Sequence, residues 1–390
     1  MNKDDIRVGL EKIVVDIERE NSKSLSLYSG ISGILLFKIF YNMNVEKDRF
    51  NIDKDFEYLI DESFESNYFT FSNGKAGFKW LFSYLRKYNI LDNDDYSNLS
   101  YDNFILEQAS LKYFSKNNYD FLHGGLGISY YSLYNSLGFS NSYFDKIYDE
   151  LFRLVNLNTK YKMFFEYDFD SNKHIRNSVN FGLFHGCVSV LKFCIESFKK
   201  DVCKERSKEM AYKINDFLLN KNYLDQLKHS FYPQILNKDE IKPSRLGWCY
   251  GDLSLGYVLY QAGLVFKDTT VIDFSLKILK LTTTRRENEV TKIFDAGICH
   301  GTAGVAHIYN KLAILTNDVS FEESSKYWIE QTIQYSSYND GIGGYKRFNA
   351  YENIYERSPG LLEGTAGIGL VLSSYLSGNF DWDYCIMLNE

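Results

Sequence analysis

The sequence predicts an all-α chain: seven inner and seven outer helices closed into a ring, with a small strand-containing insertion near residues 160–178 and 228–245. Three observations carry that prediction. A glycine-centred motif recurs seven times, each copy runs into an apolar stretch of helical length, and only three prolines interrupt 390 residues.

The copies are LYSGISGI, TFSNGKAGF, DFLHGGLGI, GLFHGCVSV, WCYGDLSLG, ICHGTAGVA and LLEGTAGIG. Their first glycines are Gly30, Gly74, Gly124, Gly186, Gly251, Gly301 and Gly364, separated by 44, 50, 62, 65, 50 and 63 residues. Each interval holds two helices and their loops. Five copies read G-x-x-G, and two read G-x-x-S, at Ser189 and Ser254. Small residues three apart share one helix face and let backbones approach. A glycine at the turn also permits backbone angles that other residues resist.

Stretches such as ISGILLFKIF and TAGIGLVLSSYL read as buried helices starting at the motif. Stretches such as DFSLKILKLTT and SKYWIEQTIQY, charged on one side, read as the outer helices. An open solenoid is the alternative, but it calls for atypical end copies, and the first and last copies here are ordinary. The segments KYKMFFEYDFDSNKHIRNS and KHSFYPQILNKDEIKPSR have strand-like composition and polar turns. No linker or low-complexity tract divides the chain, so a single domain over 1–390 is expected.

A net charge of −7 argues against a general nucleic-acid binder. No run of eighteen apolar residues suggests a membrane span. The N-terminal MNKDDIRVGLEKIVVDIERE reads as an amphipathic helix and not as a signal peptide. A cytoplasmic location is expected. The six cysteines are then buried hydrophobes, metal ligands or nucleophiles rather than disulfide partners.

Cys249 stands two positions before its motif glycine, and Cys299 and His300 stand at the corresponding place before Gly301. In a ring, equivalent positions converge on the axis, so these three side chains meet. Two thiolates and an imidazole suit Zn²⁺, and three protein ligands leave a fourth position open. A lone cysteine would be better read as a small buried residue; two at equivalent positions, one followed by histidine, reverse that.

His185 and His123 each precede their motif glycine directly. The first suits proton transfer, and the second reads as structural. Asp120 is a carboxylate placed to orient an imidazole or take a proton, or else a loop acid capping a helix. Arg245, four residues before Cys249, could hold a carboxylate or substrate backbone; taken alone it is better read as a surface arginine. Glu363 fills the place of those histidines in the last copy and is expected to be buried against a basic group or a helix N-terminus. Asp252 reads as a helix cap. His174, His229 and His307 read as structural or solvent-facing.

The W-C-Y-G of residues 248–251, the C-H-G of 299–301 and the seven motif copies resemble the lanthionine synthetase C-like family, from Gly30 to Gly369. The paired motifs are specific, and the length resembles stand-alone lantibiotic cyclases rather than bifunctional synthetases. The resemblance implies a double α/α barrel, or toroid, with one zinc held by Cys249, Cys299 and His300. It implies acid–base or supporting roles for Asp120, His185 and Arg245.

The implied reaction joins a peptide cysteine thiol to dehydroalanine or dehydrobutyrine, forming lanthionine thioether rings. The implied partners are a dehydrated precursor peptide and the dehydratase and transporter of the same pathway. Copy four departs from the pattern in Cys187 and Ser189, and copy five in Ser254. Cys187 is then either buried or a competing thiol near the metal. Two other readings remain: an enzyme adding glutathione to dehydrated residues, and a non-catalytic peptide-binding scaffold with structural zinc. A helical glycosidase or terpene cyclase would need paired carboxylates or an aspartate-rich metal motif, and neither stands at a convincing position.

Overall fold

A computed structural model describes residues 3–20, 22–91, 103–135, 139–221, 223–237 and 241–390. Part of the second expected insertion, residues 238–240, lies outside the described residues. The fold is largely α-helical with minor strand content.

A helix starts immediately after every motif glycine: Ile31–Asn44, Lys75–Lys87, Gly125–Tyr134, Cys187–Lys199, Asp252–Phe266, Thr302–Thr316 and Thr365–Ser377. None carries a side-chain N-cap. The first amides of a helix still need acceptors, and the preceding turn supplies them. In five copies the amide after the glycine reaches back seven residues: Ile31 to Ser24, Lys75 to Tyr68, Gly125 to Asn118, Thr302 to Asp295 and Thr365 to Ser358, at 2.8–3.1 Å.

This turn bears out close backbone approach, rather than unusual backbone angles, as the main reason for the glycines. Their φ values run from −110° to −140° at six of the seven copies, extended backbone open to any residue. Only Gly251, at φ 123°, needs glycine for its dihedral angle. Elsewhere the requirement is space: a Cβ at Gly30 would stand 2.2 Å from the Ser24 carbonyl oxygen. The third position is as tight, since a Cβ on Gly304 would lie 1.9 Å from the Ile298 oxygen. Ser189 and Ser254 fill that position in copies four and five and bond their hydroxyls to the carbonyls of Gly186 and Gly251.

Between the motif helices lie amphipathic ones. Lys3–Ile17 buries Ile6, Leu10, Ile13, Val14 and Ile17, spaced three or four apart. Thr269–Thr282 buries Val271, Ser275, Ile278, Leu279 and Thr282 in the same way.

The chain forms two compact units, Met1–Ser66 with Leu246–Trp248 and Thr283–Asn389, and Asn67–Arg245 with Cys249–Thr282 and Glu390. In the first, the motif turns are joined neighbour to neighbour. Cys299 N–H donates to the Leu362 oxygen at 2.8 Å, and Leu361 and Leu362 N–H donate to the Tyr28 oxygen at 2.7 and 3.1 Å. The 3-10 helix Asp381–Ile386 packs here, with Asp383 buried against Lys311 at 2.6 Å and His307 at 3.2 Å. A buried charge needs such partners. The Trp248 indole donates to the Ile386 oxygen at 2.9 Å, fixing the residue before Cys249.

The second unit repeats the device. Ser72 donates to Leu122 and Phe121 to Phe184, each at 3.1 Å, and Leu183 to Cys249 at 2.9 Å. Its strands are β1 (Tyr167–Asp168), β2 (Lys173–His174), β3 (Val179–Asn180) and β4 (Ile235–Leu236). β1 pairs antiparallel with β2, and β3 with β4, which ties the two expected insertions together. Asp252 accepts from the amides of Phe231 and Tyr232 at 2.6 and 3.2 Å, holding the second insertion.

A third hairpin, β5 (Arg347–Asn349) with β6 (Ile354–Glu356), lies in the first unit and was not expected. Its alternation is short, and Asn353 makes the tight turn in the left-handed region at φ 56°. Among the described residues no helix is long and apolar enough to cross a membrane.

Gly304→Ala is expected to cost about 1–3 kcal/mol, because backbone must move to admit the methyl group. Gly9→Ala, in a helix where the nearest atom to the new Cβ is a side-chain carbon 3.9 Å away, is expected to stabilise by about 0.5–1 kcal/mol. Denaturant melts of the two variants check both signs.

Candidate active site

Cys249, Cys299 and His300 each offer one ligand atom, and the three atoms lie within 4.8 Å of one another. Backbone contacts already described hold both cysteines: the Cys249 carbonyl accepts from Leu183, and the Cys299 amide donates to Leu362. Asp295 braces the second turn by accepting from Gly297 at 3.0 Å and Phe348 at 2.8 Å. The Cys299 Sγ is 3.4 Å from His300 Nε2. A tetrahedral Zn²⁺ with ordinary Zn–S and Zn–N bonds separates its ligand atoms by about 3.5–3.8 Å. The donor set and its span therefore fit a metal ion of that size and softness.

The other thiols lack this character. Cys187 is fully buried, and burial pushes its thiol up to about 12. Cys194 and Cys385 are raised further for the same reason. Cys187 is thus a core residue and no member of the ligand group.

In the second unit, Asp120 and His185 meet although 65 residues separate them. Asp120 sits in the turn before Gly124. One of its carboxylate oxygens accepts from the His123 amide at 2.7 Å, and the other lies 2.5 Å from His185 Nδ1. It is therefore both a loop acid and the partner of an imidazole. Burial alone would push the His185 imidazole down, but the charge and hydrogen bond of Asp120 outweigh it and raise it to about 9. His185 is thus an imidazolium at neutral pH.

Around it stand aromatic rings. Tyr250 stacks on it at 5.6 Å between centroids, and Phe169, from the β1–β2 turn, meets it edge-on at 6.1 Å. His123 touches the other side of Phe169 at 5.6 Å, and burial lowers its own affinity for a proton.

One group escaped the sequence reading. Burial pushes the Glu166 carboxyl up to about 7, and the Asn180 amide donates to it. The same amide lies 3.4 Å from the Tyr250 hydroxyl. Glu166 falls inside the 160–178 stretch, where only its strand character was legible.

Arg245 is partly buried and, among the described residues, makes no hydrogen bond or ion pair. Glu363 is 39% exposed rather than buried, and its basic partner is Arg347, at 2.5 Å. His307 is structural, His229 is exposed, and His174 packs on Phe165 at 4.5 Å.

The Asp120–His185 pair carries a sign. A raised imidazole stabilises the fold fully below the ordinary histidine value near 6.5, and that stabilisation is lost as pH rises through about 9. Asp120→Asn is expected to bring the His185 midpoint down by more than one pH unit. Histidine NMR titration reads it, and an unmoved midpoint would show that the carboxylate is not its cause.

Comparison with known proteins places this geometry. The model of the family described as lanthionine synthetase C-like protein matches residues 21–387. Among solved structures, a nisin cyclase superposes with a TM-score of 0.73 at 22% identity, over 98% of this chain and 97% of that one, so the two share a fold. No match was found among curated proteins. Matched by the family model over nearly its whole length, the chain belongs to the lanthionine synthetase C-like family.

Proposed function

We propose that this protein is a zinc-dependent cyclase that adds a cysteine thiol of a dehydrated precursor peptide to dehydroalanine or dehydrobutyrine in the same peptide. The observation that carries the reading is the convergence of Cys249, Cys299 and His300 from two distant motif turns. Family membership and the shared fold with a nisin cyclase support it. So does the family match running unbroken over 21–387, which favours one domain over 1–390. Neighbour-to-neighbour bonding of the motif turns inside each unit favours the closed double ring of seven inner and seven outer helices.

Cys249, Cys299 and His300 would hold the zinc, which would supply the positive charge that keeps a substrate thiol a thiolate near neutral pH. This chain's residues supply the rest. The thiolate sulfur forms a bond to the alkene β-carbon, and the π-electron pair moves toward the neighbouring carbonyl. The His185 imidazolium gives its proton to the α-carbon, completing the thioether. Asp120 holds the ring by Nδ1, which leaves Nε2 for the transfer, and stabilises the protonated form. The proton released from the substrate thiol returns to the His185 imidazole through solvent or the Asp120 carboxylate.

Arg245, with its fork of donors, suits the substrate backbone or a carboxylate. The Phe169 and Tyr250 rings beside His185 would give the reacting carbons an apolar flank. The partners in this reading are the precursor peptide, a dehydratase that creates the alkenes and a transporter that removes the product, in a cytoplasmic setting with association at the membrane through that complex.

A cyclisation assay on a dehydrated peptide tests it. Wild type is expected to close thioether rings, and His185→Asn to lose about 10²–10⁴-fold in rate while keeping its zinc. Reaction with free glutathione in preference to the peptide thiol would favour the glutathione-adding enzyme. No turnover with either thiol, zinc being present, would favour the scaffold.

A further inference from the structure

We infer that Glu363, clamped by Arg347, is a positioning residue that fixes His300 as a metal ligand through the far ring nitrogen. The inference rests on the zinc reading above. His300 presents Nε2 to the ligand group, 3.4 Å from Cys299 Sγ, and turns Nδ1 the other way, 3.9 Å from Glu363 Oε1. A neutral imidazole that gives one nitrogen's lone pair to a metal carries its proton on the other. A carboxylate facing that proton sets the tautomer, holds the ring's angle and raises the ligand's basicity. The 3.9 Å separation is beyond hydrogen-bond range, so the positioning role requires Nδ1 and the carboxylate to draw closer once a metal is held.

Glu363 is itself held. Its Oε2 accepts from Arg347 at 2.5 Å, and a second nitrogen of that guanidinium bonds Glu356 at 2.6 Å. Arg347 and Glu356 are register partners across β5 and β6, and Asn349 adds a bond to Glu356 at 3.2 Å. Only a planar fork of donors spans two carboxylates in this way. The guanidinium also offsets the negative charges of Glu363 and Glu356.

Ligand turn and carboxylate turn are in contact as well. Cys299 bonds Leu362, the residue before Glu363, and a Cβ on Gly297 would stand 3.1 Å from Glu363 Cα. The carboxylate therefore rides with the ligand it orients. The hairpin that the sequence did not foretell gains a purpose: it carries the arginine.

The test is zinc affinity, measured by competition with a chromophoric chelator on wild type, Glu363→Gln, Glu363→Asp and Arg347→Gln, beside the melting temperature of each metal-free protein. Glu363→Gln is expected to weaken zinc binding about 10–100-fold with the metal-free melting temperature unchanged. Glu363→Asp should recover part of the loss, and Arg347→Gln should lie between wild type and Glu363→Gln. Wild-type affinity in Glu363→Gln, or a lowered metal-free melting temperature with unaltered affinity, would overturn the positioning role and leave the zinc reading standing. A wild type that binds no zinc would overturn both.

Discussion

Everything in this fold depends on how closely backbone meets backbone at the motif turns. At Gly30 and Gly304 the space for a Cβ is taken by carbonyl oxygens about 2 Å away. That proximity lets the turn, rather than a polar side chain, accept the first helical amides. Within each of the two units it also brings neighbouring turns close enough for direct backbone hydrogen bonds, such as Phe121 to Phe184 and Cys299 to Leu362. A buried amide without a partner is expensive, so these bonds fix the order and spacing of neighbouring turns. The proposed site stands on the same parts: Asp120, His185, Cys249, Cys299, His300 and Glu363 all lie within four residues of a motif glycine.

Electrostatics then divides the labour. The same fold that raises the Cys187 thiol to about 12 by burial leaves the ligand group its own set of donors. His185, partly buried, would be neutral were Asp120 not beside it; the carboxylate reverses the effect of burial. Glu166 goes the opposite way toward neutral pH, because burial outweighs the Asn180 amide and the His185 charge that favour its carboxylate.

The helices that begin at the motifs were legible because the constraint on them is local: a glycine and a small residue three apart, followed by apolar sequence. Of the two reasons the sequence offered for the glycines, close approach and backbone angle, the first holds in six of seven copies and the second at Gly251, since both leave the same letter in the sequence. The convergence of Cys249, Cys299 and His300 was legible because repeats convert sequence register into spatial equivalence, so Cys249 and Cys299 could be matched 50 residues apart. The partner of His185 could only be offered as one of two readings of Asp120, and the structure shows both at once. Arg347 and Glu166 had no signal. Each arrives on a short hairpin segment whose place is set by strand pairing and long-range packing, and two- or three-residue strands leave too little alternation to register.

The most direct measurement is the metal content of the purified protein beside Cys249→Ala and Cys299→Ala. About one zinc per chain in the wild type, lost in both variants, is the expected result, because each variant removes one of three ligands from a single site. No zinc in fresh wild-type protein, or zinc retained in both variants, would contradict a shared site and with it the cyclase reading.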